Sequence, residues 1–348
     1  MKHKYFKSLV LTTAIFGLSF QAQAQDKEQV KKIRSQYNLV KLETIKKRFQ
    51  KTSTSEKKEA LQIAKQKGWK TKFMTSDGRL VELQRVVNGK PIYYTTFNVA
   101  AARSTRTNHL NSGGSLGLNL MGQGMTAHVW DGGLARTTHQ EYDGAGGSNR
   151  FSIGDGTTAK HYHSAHVTGT IMASGVDANA KGMAPHAKAI GYDWNSDKAE
   201  ATAAAANGML VSNHSYGYAT RNQQGQVQLP QHYFGGYIEE TRAWDEILFN
   251  APNFLMVVAA GNDGQDNSAN TNPTGGAGFD KLTGHSVAKN NLVVANAQDA
   301  NIAANGSLIS VVIAPSSSEG PTDDMRIKPD ITGNGSGVYS TYESSDTA

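Results

Sequence analysis

The chain has 348 residues, of which 38% are hydrophobic and 18% are charged, and it contains no cysteine. A composition this apolar can bury a core, which excludes a fully disordered chain. The absence of cysteine excludes a disulfide framework, a thiolate nucleophile and a thiolate zinc site, so any nucleophile must be oxygen or nitrogen. The net charge of +6 divides into +3 for residues 1–24, +11 for residues 25–100 and −8 for residues 101–348. Because the largest part is acidic, nucleic acid is not expected as a partner.

The N-terminal segment has the order of a secretory signal. Lys2, Lys4 and Lys7 precede an apolar run from Leu9 to Phe20, and Ala22-Gln23-Ala24 follows. The run is shorter than the roughly 20 apolar residues that a membrane-spanning helix needs. We therefore expect residues 1–24 to be removed as a signal peptide, with export to the extracellular or periplasmic space and no membrane partner afterwards. A short buried helix is the alternative interpretation.

Residues 25–103 are predicted to form a small, basic α+β module. Its first part, to about residue 72, is rich in Lys, Gln, Glu, Thr and Ala and is interpreted as helical or partly ordered. Asn88-Gly89 then separates two β-rich runs, Arg79 to Val87 and Pro91 to Phe97. An Asn-Gly pair between such runs predicts a β-hairpin, because both central residues of its turn need positive φ. Beyond residue 103 the composition becomes rich in Gly and Asn and acidic, which predicts a domain boundary there.

Residues 104–348 are predicted to form an α/β domain, with a mostly parallel sheet and helices on both faces. Short apolar runs alternate with helical stretches of small residues, and this pattern favours parallel strands that are covered on both sides. The predicted strands begin near residues 126, 187, 209, 254 and 291, and the predicted helices near residues 163, 198 and 237. In such sheets, functional sites gather at the carboxyl ends of the strands.

Two polar residues stand directly beyond predicted strands. Asp131 follows the run from Met125 to Trp130 and precedes two glycines, where its carboxylate could orient a histidine or serve only as a turn residue. Asn262 follows the run from Phe254 to Ala260. A side-chain amide held there could donate a hydrogen bond to a developing oxyanion, although an Asn between glycines is also a common turn residue. The segment Ser215-Tyr216-Gly217 could expose backbone groups to an extended peptide.

Three histidines, His161, His163 and His166, cluster at the start of a helix predicted from His163 to Ser174. A histidine in this first turn could act as a general base if a carboxylate fixes its tautomer. A zinc site is an alternative, but zinc helices commonly place histidines four apart with a nearby Glu, and here the offsets are two and three. A purely structural cluster is a further alternative. One face of the helix carries small residues four apart, which would let another backbone approach closely: Ala165, Gly169 and Ala173.

In this order, the segments resemble the subtilisin-like (subtilase) serine proteases over residues 115–348. The family's Asp-Ser/Thr-Gly motif is matched by Asp131-Gly132-Gly133, and its His-Gly-Thr-His-Val-Ala-Gly-Thr motif by residues 163–170. The resemblance implies that Asp131 is the triad carboxylate and His163 the general base. It also implies that Asn262 is the oxyanion-hole donor, and that Ser215, Tyr216 and Gly217 form the strand that pairs with the backbone of a protein or peptide substrate.

The resemblance further implies that residues 25–103 are an inhibitory propeptide, which makes the protein's own propeptide a partner. The family's Gly-Thr-Ser-Met-Ala nucleophile motif does not occur, and no nucleophile is assigned among Ser336, Ser340, Ser344 and Ser345. We therefore expect a secreted serine endopeptidase precursor that is cut short before its nucleophile and is inactive in this form. A noncatalytic protein that binds peptides in the same cleft is the alternative. Structural calcium is frequent in the family, but no loop shows a recognisable ligand pattern, so no metal or cofactor is assigned.

Overall fold

The computed structural model describes residues 25–74, 80–96, 105–143 and 149–347. The predicted signal peptide and the predicted boundary at residue 103 lie outside the described residues. Within them, no helix is both long enough and apolar enough to cross a membrane.

The start of the N-terminal module consists of two helices, α1 (Lys27–Ser35) and α2 (Leu39–Lys67). Each begins at a residue whose side chain accepts a backbone N–H of the first turn, Asp26 for α1 and Asn38 for α2. Helix α2 ends at Gly68, whose φ of 68° is the left-handed conformation that glycine adopts without steric cost. The segment interpreted as helical or partly ordered is therefore helical.

The predicted hairpin follows the helices. Strands β1 (Lys72–Met74), β2 (Leu80–Val87) and β3 (Lys90–Thr96) form an antiparallel sheet in that order. Asn88 and Gly89 have φ values of 51° and 74°, as the turn between β2 and β3 requires. The turn chemistry of this dipeptide thus sets the register of the hairpin, and the prediction is confirmed.

The larger domain is built on a seven-stranded parallel sheet. Its strands are β4 (Thr126–Asp131), β5 (Phe151–Ile153), β6 (Lys188–Asp193), β7 (Val211–His214), β9 (Leu255–Ala259), β10 (Leu292–Ala297) and β13 (Ile331–Asn334). They lie side by side in the order β13-β10-β9-β7-β4-β6-β5. The remaining short strands are β8 (Tyr216–Tyr218), β11 (Asn301–Ile302) and β12 (Leu308–Ser310).

Helices flank this sheet, as predicted for an α/β fold of the subtilisin-like type. They are α3 (Gln140–Asp143), α4 (Tyr162–Met172), α5 (Asp197–Ala206) and α6 (Glu239–Asn250). Parallel neighbours in a sheet need crossover connections, and the helical stretches between the apolar runs supply them. The predicted fold class is confirmed, and α4 to α6 begin within two residues of their predicted positions.

The long helix α2 of the module packs on the larger domain. Leu42, Ile45 and Phe49 lie on one face of α2 and are at most 5% exposed. They belong to the same buried cluster as Ala201 and Ala205 of α5. Alanine side chains allow two helices to approach closely, so the Ala-rich sequence of α5 provides a surface on which the bulkier face of α2 is buried.

The module's sheet also continues into the larger domain. Strand β8 pairs antiparallel with β3, which makes it the fourth strand of the module's sheet. Tyr94 lies opposite Tyr218, Thr95 opposite Gly217 and Thr96 opposite Tyr216. The N-terminal module therefore holds an extended segment of backbone against the strand that sequence analysis singled out for peptide binding.

Candidate active site

Asp131 is the last residue of β4, at the carboxyl end of the parallel sheet, and is fully buried. One of its oxygens, Oδ1, accepts the backbone N–H of Gly132 at 2.7 Å. The next residue, Gly133, lies so close to the loop before α4 that a Cβ there would be 2.9 Å from the Cβ of His161. Glycine at this position lets the start of α4 pack directly against the end of β4, which brings the first turn of the helix to the carboxylate.

His163 lies in the first turn of α4 and is 2% exposed. Its Nδ1 lies 2.9 Å from Oδ1 and 2.8 Å from Oδ2 of Asp131. A carboxylate can only accept hydrogen bonds, so Nδ1 carries the proton and, in the neutral ring, Nε2 carries the lone pair. The two residues that the motifs assigned to the acid–base couple are therefore in direct contact, and the carboxylate fixes the tautomer that a general base needs.

The other two histidines of the cluster have different contacts. His161 precedes α4, and its Nδ1 accepts the backbone N–H of His163 at 3.3 Å. His166 donates from Nε2 to the carbonyl oxygen of Val338 at 3.1 Å. Burial lowers the pKa of His161 to about 4 and also lowers the pKa of His166. In the part of the chain that the structure describes, no three His, Cys, Asp or Glu side chains are grouped to hold a metal ion, so the zinc alternative gains no support.

Side chains of the segment 338–341 cover part of the small-residue face of α4, whereas the prediction was for the close approach of another backbone. A Cβ on Gly169 would collide with the hydroxyls of Ser340 and Thr341. Ser340 donates to the carbonyl oxygen of His166, and Thr341 donates to that of Ala165, each at 2.8 Å. The hydroxyl of Ser340 thus bonds to the backbone of the helix on the face that carries Gly169.

Asn262 and Ser215 line one cavity of about 300 Å³ at the carboxyl ends of β7, β9, β10 and β13. Val167 of α4 lines the same cavity. Val167 follows His163 by four residues, which places it on the same face of α4, one turn farther along. The structure therefore brings Asn262 and Ser215 to one cavity beside α4, the helix that carries His163, whereas Asp131 and His163 themselves are not among the residues that line it.

The loop that carries Asn262 is anchored on both sides. The carbonyl oxygen of Gly261 accepts the N–H of Ser318 at 3.0 Å, and the N–H of Asp263 donates to the Ser318 hydroxyl at 3.0 Å. Thr220 donates to the Asp263 carboxylate, also at 3.0 Å. The residues on both sides of Asn262 are therefore held in place by hydrogen bonds.

A buried polar cluster beside β8 was not anticipated from the sequence. Glu240 of α6 is 3% exposed, and its carboxylate accepts from Lys198 Nζ at 3.0 Å and from Arg85 Nη1 of the module at 3.0 Å. The Tyr94 hydroxyl lies 3.2 Å from the same carboxylate and 3.3 Å from that of Asp197. Residues 85 and 94 belong to the module and residues 197–240 to the larger domain, so no local sequence pattern could have indicated this cluster.

The contacts in this cluster determine the protonation states of Glu240 and Tyr94. Burial alone would raise the pKa of Glu240, but the cations Lys198 and Arg85 hold it well below its usual value. Burial raises the pKa of Tyr94 well above its usual value, and the carboxylates of Asp197 and Glu240 raise it further. The Glu240 carboxylate is therefore a charged acceptor, and the Tyr94 phenol remains protonated and able to donate.

Comparison with known proteins identifies the family to which the chain belongs. A model of the subtilase family, peptidase family S8, matches residues 122–348. Among solved structures, the chain is similar to the Clostridium perfringens CspB protease, with 13% identity, 70% of this chain and 82% of that chain covered, and a TM-score of 0.47. It is also similar to the MycP3 protease from the type VII (ESX-3) secretion system, with 15% identity, coverage of 66% and 78%, and a TM-score of 0.35. No curated protein matches. Because the family model covers well over half of the sequence, the chain belongs to the subtilase family of serine proteases.

Proposed function

We propose that this protein is a secreted serine endopeptidase in which Asp131 and His163 are the acid–base couple and Asn262 stabilises the oxyanion. The observation that carries the proposal is the contact of His163 Nδ1 with the buried carboxylate of Asp131, at 2.8 Å, in the first turn of the helix that borders the cavity. Membership of a serine protease family supports the reaction class. Residues 1–24 act as the signal for export.

The chemistry follows from the tautomer that Asp131 fixes. Nε2 of His163 takes the proton of a serine hydroxyl as its oxygen attacks the carbonyl carbon of a peptide bond. The amide of Asn262 donates to the oxyanion that forms. His163 then gives the proton to the departing amine, and water hydrolyses the acyl-enzyme by the same steps in reverse.

We assign the nucleophile to none of the late serines. The contact of Ser340 with the carbonyl oxygen of His166 supports this, because it holds that hydroxyl on the backbone of α4. We propose that a segment outside residues 25–348 presents the serine at the cavity of about 300 Å³ that Asn262 and Ser215 line. Residues 25–348 alone are then inactive, since losing one member of the triad forfeits most of the rate enhancement.

The N-terminal module acts as an inhibitory propeptide in this proposal. Its strand β3 occupies the edge of β8, so Tyr216 and Gly217 pair with the module's backbone instead of a substrate. An extended peptide that adds to a sheet edge in this way gains main-chain hydrogen bonds from the edge and selectivity from pockets for its side chains. The same pairing also favours the second candidate function, a noncatalytic protein that binds peptides at β8.

A fluorophosphonate probe, which reacts with activated serines, tests the proposal. Purified residues 25–348 should remain unlabelled. The product of the complete reading frame should be labelled, and the labelling should be lost in His163→Ala but retained in His186→Ala, which changes an exposed histidine. Labelling of residues 25–348 would contradict the assignment of the nucleophile. A complete product that binds peptides without any labelling would favour the noncatalytic candidate.

A further inference from the structure

We propose that the β8 edge selects peptides carrying a tyrosine at the position opposite Tyr218. The inference rests on the proposed function and names the substrate class of the same cleft. The side chains that receive the tyrosine are called the tyrosine socket, and they are Trp194, Asp197, Tyr216, Tyr218 and Glu240.

The position is defined by the register of β3 on β8. The two strands are antiparallel, and the pair Tyr94–Tyr218 is one of three that join them. A peptide that takes the place of β3 makes the same main-chain hydrogen bonds. Because alternate side chains of a strand point to opposite faces, its residue opposite Tyr218 enters the space that Tyr94 fills.

The socket is shaped for an aromatic ring. Tyr94 is 2% exposed, and its ring centroid lies 5.0 Å from that of Tyr216, 5.7 Å from Trp194 and 5.8 Å from Tyr218. The neighbouring Tyr93 belongs to a different buried cluster that includes Leu83 of the module. The larger domain therefore surrounds only one of the two adjacent tyrosines with aromatic side chains.

The end of the socket distinguishes tyrosine from phenylalanine. The Tyr94 hydroxyl is within 3.3 Å of two carboxylates, those of Asp197 and Glu240, whose residues are 2% and 3% exposed. A phenylalanine in this place would bury both acceptors without the donor. Removing one donor from a buried carboxylate is costly, and sites built around a substrate hydroxyl reject analogues that lack it.

The acceptors are held in place by the larger domain. Asp197 also accepts from the Tyr216 hydroxyl at 2.9 Å, and His214 Nδ1 lies 2.9 Å from that hydroxyl. Glu240 accepts from Trp244 Nε1 at 3.1 Å and from Lys198 Nζ at 3.0 Å. Of the contacts described for these two carboxylates, only those from Arg85 and Tyr94 come from the module. The socket thus keeps its own supporting hydrogen bonds when a peptide replaces β3, as a preorganised site requires.

Ligand rescue of a vacated socket tests the inference without any catalysis. In residues 25–348 carrying Tyr94→Gly, p-cresol supplies the missing phenol and toluene supplies only the ring. We expect p-cresol to raise the melting temperature and to bind about tenfold tighter than toluene, the factor that one charge-assisted hydrogen bond represents. The wild-type chain, whose socket is filled, should respond to neither at the same concentrations. Equal binding of p-cresol and toluene would overturn the inference.

Substrate kinetics provide a second measurement, which also serves if Tyr94→Gly does not fold. Peptides that copy residues 90–103 are offered to the product of the complete reading frame. Replacing the tyrosine that corresponds to Tyr94 by phenylalanine should lower kcat/KM about tenfold, and the same change at Tyr93 should leave it within about twofold. Equal rates for all peptides would overturn the inference while the proposed function stands. If no peptide is cleaved, the proposed function fails, and p-cresol binding still decides the socket.

Discussion

Arg85 of the N-terminal module and Glu240 of the larger domain form an ion pair inside their interface. Nη1 of Arg85 lies 3.0 Å from Oε2 of Glu240, and the two side chains are 12% and 2% exposed. A second contact places Glu82 of the module against the larger domain, where it accepts from Trp194 Nε1 at 3.0 Å. Arg85 and Glu82 both belong to β2, which pairs with β3. Their buried polar contacts with the larger domain therefore fix the position of β3 on the edge of β8.

The first prediction concerns this ion pair. Arg85→Ala should lower the free energy of unfolding of residues 25–348 by about 3 kcal/mol, because it leaves a buried carboxylate without one of its two cations. Arg48→Ala, which breaks a pair between Glu246 and a 45% exposed arginine, should cost less than about 1 kcal/mol. Denaturant unfolding monitored by tryptophan fluorescence measures both. Equal effects of the two changes would contradict the importance given to the buried pair.

The second prediction concerns the packing that holds α4. A Cβ on Gly182 would lie 2.6 Å from the N of Ala173 and 2.7 Å from the carbonyl oxygen of Gly169, both backbone atoms that cannot move aside without shifting the helix. Gly182→Ala should therefore destabilise the chain by about 1–3 kcal/mol. Gly333→Ala is the matched control, since its Cβ would meet only a side-chain carbon of Val294 at 3.4 Å. A Gly182→Ala protein as stable as this control would show that α4 is not fixed by the contact.

The third prediction concerns pH. Burial raises the pKa of Glu200 to about 8, the Trp130 N–H that it accepts lowers it, and Asp155 is among the carboxylates that raise it. The native state then keeps a proton that the unfolded chain, in which the glutamate has its ordinary pKa of 4.5, releases near pH 4.5. Unfolding therefore releases a proton between these two pH values, and the contribution of Glu200 to stability falls as pH rises from 4.5 to about 8.

Glu200→Gln removes this titration and keeps an oxygen to accept from Trp130. The variant should match the wild type at about pH 4.5 and become the more stable protein at about pH 8. Denaturant midpoints at the two pH values provide the measurement. A difference between the proteins that does not change with pH would contradict the prediction.

Much of the fold could be predicted because local patterns determine it. Asn88-Gly89 specifies its hairpin through backbone conformation, and the central strands are continuous apolar runs because both faces of a parallel sheet are covered. The edge strands were not predicted, because only part of each one is covered. Ser152 and Ile153 of β5 are exposed, as are Ile331 and Thr332 of β13, so these segments lack a continuous apolar run.

The site residues also fall into two groups, those that a local motif identifies and those that only the fold brings together. Asp131 and His163 lie in motifs that identify them one at a time, and the structure joins them. The tyrosine socket has no such motif, because its members are spread over the larger domain: Trp194 directly follows β6, Asp197 begins α5, Tyr216 and Tyr218 lie on β8, and Glu240 lies on α6. Tyr94 and Tyr93 are adjacent in sequence, and only the pairing of β3 with β8 shows which of them enters the larger domain.

The most direct test of the central claim is the peptidase activity of the complete reading-frame product carrying Asp131→Asn. The substitution keeps the shape of the side chain but lets an amide N–H face Nδ1 of His163, which favours the wrong tautomer of the ring. We predict a fall in kcat of about 10⁴, with the melting temperature close to that of the wild type. Retention of kcat within about threefold in a folded Asp131→Asn protein would contradict the assignment of Asp131 and His163 as the acid–base couple.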